Sequence, residues 1–280
     1  MKSSIHLKQI LTFTKIEHTA FSLPLIFTGA WMGGGYRFPS LRILLLIVVA
    51  AVGARVFGMS MNRVLDRHID RENPRTANRE LPSGKMSLSI ALTVAFVGLF
   101  IYLLACWTLG GWCFALSPIP LIPLLVYSLL KRFTPLCHFG IGLCLALAPL
   151  GAYVAASGHP NFPTSVILFA WFVFFWLSGA DIIYAILDIE SDRKNKIHSL
   201  PAQFGMCLSL RVAGSVHVAA WVILAAVVAI LGGGMAAWLA MGVTAIFLSL
   251  MYFPAIPINK RFFPISTIAG VSGAIAPMIV

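Results

Sequence analysis

Charge is what this 280-residue sequence has least of. Asp, Glu, Lys and Arg make up 10% of the residues, against 59% hydrophobic. A soluble domain carries about 25% charged residues, so this chain cannot cover a water-facing surface. The charge is also missing in blocks: 86–130, 133–180 and 212–259 contain no Asp, Glu, Lys or Arg. Each block has room for two membrane helices, since one helix needs about 20 apolar residues. Acids are scarcer than bases, 9 against 20, leaving a net charge of +11. The bases are not interleaved with aromatics in any polar domain, which argues against nucleic acid. They point to cytoplasmic loops and phosphate-bearing ligands. Cysteine is sparse and unpatterned. Cys106, Cys113, Cys137, Cys144 and Cys207 form no CxxC pair and no metal spacing, so they read as small buried apolar residues. The opening "MKSSIHLKQILTFTK" lacks a clear small-residue cleavage site, which favours an uncleaved first span.

What remains is an all-α polytopic membrane protein. Nine helices are expected, at about 17–36, 41–70, 87–107, 112–130, 137–157, 163–190, 209–231, 235–254 and 262–280. Gly and Pro punctuation marks most of the breaks, as in "GGGYRFPS", "SGHPNFP" and "GGG". Nothing divides the chain, so 1–280 is read as one domain. Acidic clusters end the second and sixth helices, an echo consistent with a duplicated four-helix unit. Basic residues concentrate in alternate connections: Arg63 to Lys85, Lys131/Arg132, Arg193 to Lys196, and Lys260/Arg261. The positive-inside rule places these connections and the N-terminus in the cytoplasm, and the C-terminus outside. A lipid bilayer is the one partner this organisation requires, and no protein partner is inferable.

The first acidic cluster is "NRVLDRHIDRENPRTANRELP". Asn62, Asp66 and Asp70 follow each other at i,i+4, a drift of about 40° per step, so they share a helix face. Arg55 lies two turns earlier on that face, inside an apolar run. An intramembrane cation ordinarily faces a cavity or a partner. The plainer alternative is a solvated, salt-bridged helix end with Arg55 snorkelling.

The second cluster, "DIIYAILDIESDRKNKIHSLPAQFG", begins at Asp181 after the long uncharged block. On a continuous helix Asp188 and Asp192 return close to the face of Asp181, with Tyr184 nearby and Glu190 turned away. Asp181 is the deepest of the set. Two carboxylate clusters at helix ends offer oxygen ligands for a hard cation, and Mg2+ commonly combines one or two carboxylates with waters and substrate phosphates. An Asn carbonyl adds a neutral ligand. Arg75, Arg79 and Lys131 suit the phosphate oxygens. The constellation calls for a diphosphate whose organic part lies in lipid.

The chain resembles the UbiA superfamily of intramembrane aromatic prenyltransferases over nearly its whole length. The resemblance rests on "RVFGMSMNRVLDRHID" with "NPRTANRELPSG", on "DIIYAILDIESD" with "HSLPAQFG", and on "YSLLKRFT". It implies a helical fold with a central cavity and Mg2+-dependent transfer of a chain from polyprenyl diphosphate to an aromatic acid. Asn62, Asp66 and Asp70 match the first metal–diphosphate motif, and Asp181, Asp188 and Asp192 the second. Within these, Asn62, Asp66, Asp70, Asp188 and Asp192 are the implied metal ligands. Arg75, Arg79, Tyr127, Lys131 and Tyr184 are implied on the substrate, and Arg55 on the acceptor carboxylate. Asp181 is left between orienting the acceptor, taking a proton and supporting the metal.

The chain departs from the pattern at Arg63, where many members carry Asp, and at His198 and His18. These departures are similar to the subgroup that prenylates a dihydroxynaphthoate in the futalosine route to menaquinone. The implied acceptor is therefore 4-hydroxybenzoate, as in ubiquinone synthesis, or a dihydroxynaphthoate. His18, His68, His138 and His198 are weighed as acid–base groups, with no role the expectation for each. Phe172, Phe174, Phe175 and Trp176 are read as packing residues rather than a prenyl channel. A cation or organic-anion transporter would use similar intramembrane acids. Acids and bases gathered on one membrane side disfavour a through-path. A CDP-alcohol phosphotransferase would need a DGxxAR motif that is absent.

Overall fold

A computed structural model describes residues 7–15 and 19–280, and every regular element in it is helical. His18 and the first residues of the chain lie outside the described residues. Seven helical stretches are long and apolar enough to cross a membrane. Two shorter apolar helices, Phe21–Gly33 and Met235–Leu250, complete the expected set among the described residues.

The order is α1 (Leu7–Thr14), α2 (Thr19–Gly33), α3 (Leu41–Glu72), α4 (Leu88–Leu109), α5 (Gly111–Leu116), α6 (Pro118–Leu130) and α7 (Cys137–Ser157). Then come α8 (Thr164–Ala185), α9 (Ile189–Lys194), α10 (Leu200–Ile230), α11 (Met235–Leu250), α12 (Ile258–Lys260) and α13 (Ser266–Ile275). The short α1 was not anticipated.

Several expected spans are interrupted, each for a local reason. The expected 112–130 helix is split at Ser117, ahead of Pro118 and Pro120, and Tyr102 Oη donates to the Ser117 carbonyl at 3.0 Å. The expected 163–190 helix stops at Ala185, tightens through a 3-10 turn at Ile186–Asp188 and resumes as α9. α10 starts at Leu200 rather than 209, capped by the Ser199 hydroxyl, and breaks at Gly205, whose φ of 79° an L side chain rarely adopts. The last span bends through a π turn at Pro264 and closes in a 3-10 turn at Pro277.

Close helix contact rests on small residues, as expected where lipid offers no hydrophobic drive between helices. A Cβ on Gly29 would collide with the Pro149 carbonyl oxygen, so α2 meets the α7 backbone directly. Gly53 and Gly98 bring α3 and α4 together in the same way. α8 is the central helix. Phe169, Phe172, Val173, Trp176, Ile182 and Ile183 are all at or below 1% exposure, and they anchor the main core. Phe172 and Trp176 are therefore packing residues, as expected. Burial of most of α8, and of all of 176–180, fixes the end of that helix, where the second acidic cluster begins.

Candidate active site

Between the helices lies a cavity of about 710 Å³. α3 lines it from Ile47 to Asp70, about 35 Å of helix at 1.5 Å per residue. The chemistry is divided along that length. Ile47, Ala51, Leu109, Leu147, Ala148 and Phe162 line one part, and the two acidic clusters with Arg75, Arg79 and Lys131 line the other. Arg55, Tyr127 and Asp181 also face the cavity. The i,i+4 spacing of Asn62, Asp66 and Asp70 did place them on one face, since all three line it.

The structure joins the clusters by exchanging charge between elements. Asp66 is 3% exposed; its Oδ2 accepts from Lys131 Nζ at 2.7 Å and from Asn62 Nδ2 at 3.0 Å. Both Asp70 oxygens accept from Arg79 at 2.8 Å. Asp188 accepts from Arg75 through both oxygens, the Nε bond being 2.8 Å, and from Asn73 Nδ2 at 2.8 Å. Arg75 also donates to Tyr184 Oη at 3.0 Å and lies 5.1 Å from the centre of that ring. Burial alone would lower the Arg75 pKa, but the Asp188 carboxylate outweighs it and holds the guanidinium above its ordinary value.

Loop 73–79 reaches across because its own backbone is fixed. The Asn73 side chain accepts from Arg75 N, and Thr76 Oγ1 donates to the Asp70 carbonyl at 2.9 Å.

Asp181 and Asp192 differ from the rest. Asp181 Oδ2 meets His138 Nδ1 at 2.8 Å, and Asp192 Oδ2 accepts from Ser199 at 2.6 Å. The 3-10 turn at Ile186–Asp188 interrupts the continuous helix on which their common face was expected. Glu190 is exposed, as expected.

Sequence reasoning missed Asn73, Ser199 and the placement of His138. Asn73 caps α3 immediately before a Pro, which is a readable signal. Ser199 precedes Pro201 at a helix start, another readable signal. Nothing local marks His138, whose partners are Asp181, 43 residues away, and Leu200, 62 residues away. Arg63, the residue out of pattern, is 4% exposed and sits 3.7 Å from Glu80.

The donor set fits Mg2+. Asp66 Oδ1 is buried with no hydrogen-bond partner, and the carboxylates stand beside cations suited to phosphate. Among the described residues no three His, Cys, Asp or Glu side chains close on one point. Mg2+ commonly takes one or two carboxylates and completes its shell with substrate phosphates and water.

Residues 22–279 match the UbiA prenyltransferase family. The chain belongs to that family. Among curated UbiA relatives it is 33% identical over 174 residues to a 4-hydroxybenzoate octaprenyltransferase of Legionella pneumophila strain Paris. It is 32% identical over 171 residues to the protein of that name from Coxiella burnetii strain CbuK_Q154. The matches span 62% and 60% of this chain, and 61% and 58% of those relatives' length. A solved UbiA homolog from Aeropyrum pernix K1 superposes with a TM-score of 0.81 at 33% identity, covering 93% of this chain and 96% of that one. A second, from Archaeoglobus fulgidus and bound to GPP and Mg2+, shares the fold at 18% identity, with a TM-score of 0.70 over 97% of this chain and 100% of its own.

Proposed function

We propose that this protein transfers a polyprenyl chain from a polyprenyl diphosphate to the ring of an aromatic acid, within the membrane. One observation carries the reading: two acidic clusters and three cations meet at one part of an elongated cavity whose remaining length is mostly apolar. That division matches a charged diphosphate attached to a hydrocarbon chain. The names of the curated relatives, and the GPP and Mg2+ bound by the Archaeoglobus fulgidus homolog, support it.

The roles follow from the chemistry of each side chain. Asn62, Asp66, Asp70, Asp188 and Asp192 would hold Mg2+, which when bound supplies Lewis-acid neutralisation of charge on the leaving diphosphate. Arg75, Arg79 and Lys131 release their carboxylates and turn to phosphate oxygens. Tyr184 keeps Arg75 aimed, and Tyr127 lines the cavity one helical turn before Lys131. The allylic C–O bond breaks with its electron pair going to the diphosphate. The acceptor ring attacks the allylic carbon, a C–C bond forms, and the ring then loses a proton. Arg55 pairs with the acceptor carboxylate.

We place the charged connections on the cytoplasmic side of the bacterial inner membrane, because they all belong to the basic set. The acceptor is 4-hydroxybenzoate or a dihydroxynaphthoate. Arg63, which lies beside Glu80, departs from the pattern together with His198 and His18, and these departures favour testing both.

Purified protein given geranyl diphosphate and each acceptor, with Mg2+ or EDTA, should make a prenylated ring only with the metal. Asp66→Ala and Asp188→Ala should each abolish turnover. Absence of product from both acceptors, or ion flux through liposomes without product, refutes the reading.

A further inference from the structure

Asp181 is set apart from the other acids of the cavity by its partner. Asp66, Asp70 and Asp188 each hold a Lys or Arg, whereas Asp181 holds a histidine. His138 stands in the first turn of α7, and 2% of it is exposed. Its Nδ1 lies 2.8 Å from Asp181 Oδ2, and its Nε2 lies 3.2 Å from the backbone nitrogen of Leu200. A backbone N–H only donates, so Nε2 must present its lone pair. The ring proton then sits on Nδ1, and the imidazole donates to Asp181. The start of α10 thus fixes the tautomer. The neighbouring Ser199 hydroxyl, which caps the same helix, donates to Asp192. One turn of chain therefore anchors both the deepest and the last acid of the second cluster.

We propose that His138 is a positioning residue. It pins Oδ2 of Asp181 so that the other carboxylate oxygen is presented to the cavity, where it takes the proton that the acceptor ring loses. The inference rests on the prenyl-transfer reading. Asp181 lines the cavity, its side chain is 25% exposed, and among the described residues its second oxygen has no hydrogen-bond partner. The balance is complete: as the ring C–H bond breaks, its electron pair restores the aromatic ring and the proton binds Asp181, later passing to water. Among the described residues no ion pair joins Asp181 to Lys or Arg, which suits this step because a paired cation would weaken it as a base. His138 acts only through Asp181.

The test separates donor ionisation from ring chemistry. Full-length protein receives geranyl diphosphate and Mg2+. Prenylated product is measured with each acceptor, and released diphosphate is measured without acceptor. His138→Leu, which neither donates nor accepts, should lower kcat for ring prenylation by about 10- to 100-fold, part of what a positioned base contributes. KM for the donor and acceptor-free diphosphate release should stay at wild-type values. His138→Gln can donate to Asp181 through its amide nitrogen and accept from Leu200 through its oxygen, and should restore kcat to within a few-fold of wild type.

Wild-type kcat in His138→Leu overturns the proposal. So does equal loss of product and diphosphate release, which would put His138 in the donor site. If the Leu variant does not fold, a folded His138→Gln protein with kcat as low as that of Asp181→Asn overturns it alone. Wild-type protein that prenylates neither ring overturns the transfer reading itself, before any variant is compared.

Discussion

Replacing Lys131 by Met leaves a carboxylate stranded. Asp66 is 3% exposed, and Lys131, at 25%, is its only ion-pair partner among the described residues. After the change Asp66 keeps one hydrogen bond, from Asn62, while Oδ1 has none already. Removing one member of a buried pair costs about 3–5 kcal/mol. Water reaches Lys131 and screens the pair, which brings the cost below that range, to about 2–3 kcal/mol. At roughly 2–4 °C per kcal/mol for a chain of this size, Lys131→Met should melt about 5–10 °C lower in detergent. Asp66→Asn, which keeps shape but leaves Lys131 able to reach water, should cost less. The double variant removes both charges and should recover most of the loss. Thermal melts of the four proteins give the coupling directly, expected at about 1.5 kcal/mol or more, well above the 0.3–0.5 kcal/mol scatter of independent sites. Additive losses would refute the claim that Asp66 and Lys131 form a coupled pair. The double variant should be folded and inactive, which separates stability from catalysis.

Three further outcomes are expected. Arg75→Lys keeps the charge but loses the fork that spans both Asp188 oxygens and Tyr184; KM for the diphosphate should rise about tenfold with a smaller change in kcat, by steady-state assay. Gly29→Ala forces a Cβ against the Pro149 carbonyl and should lower the melting temperature, whereas Gly151→Ala meets nothing within 4 Å and should not; equal melts would refute the close α2–α7 approach. Calorimetry with a non-hydrolysable diphosphate analogue should show Mg2+ and analogue tightening each other's binding by the same factor, and equal affinities with and without the other would refute the exchange of partners argued below.

Much of the fold was legible because lipid imposes it. Uncharged blocks and Gly and Pro breaks gave the spans, and alternating basic loops grouped their ends. The Asn62, Asp66 and Asp70 face followed from helix period alone, as α3 runs unbroken through all three. The second cluster was less legible for a physical reason. The helix end at Ala185 tightens into a 3-10 turn, so positions counted on an ideal helix drift, and Asp192 turns to Ser199. His138 was illegible because its role is set by two distant partners. Arg63 became intelligible only once loop 73–85 folded back and set Glu80 beside it.

The ion pairs explain how a strongly basic protein can keep a cavity with so many acids in register. Arg75, Arg79 and Lys131 are held by Asp188, Asp70 and Asp66. Each pair lowers the self-repulsion that two carboxylates at i,i+4, or three cations at one mouth, would otherwise suffer. A diphosphate arriving alone must take cations away from carboxylates and leave those carboxylates unpaired. A divalent cation arriving alone faces the reverse problem. Arriving together they supply both signs, so the carboxylates pass to the metal and the cations to the phosphates with no charge stranded. On the proposed function, the pairs that balance charge in this cavity therefore make Mg2+ and diphosphate depend on each other. They also make the site discriminate against a bare phosphate or a bare ion.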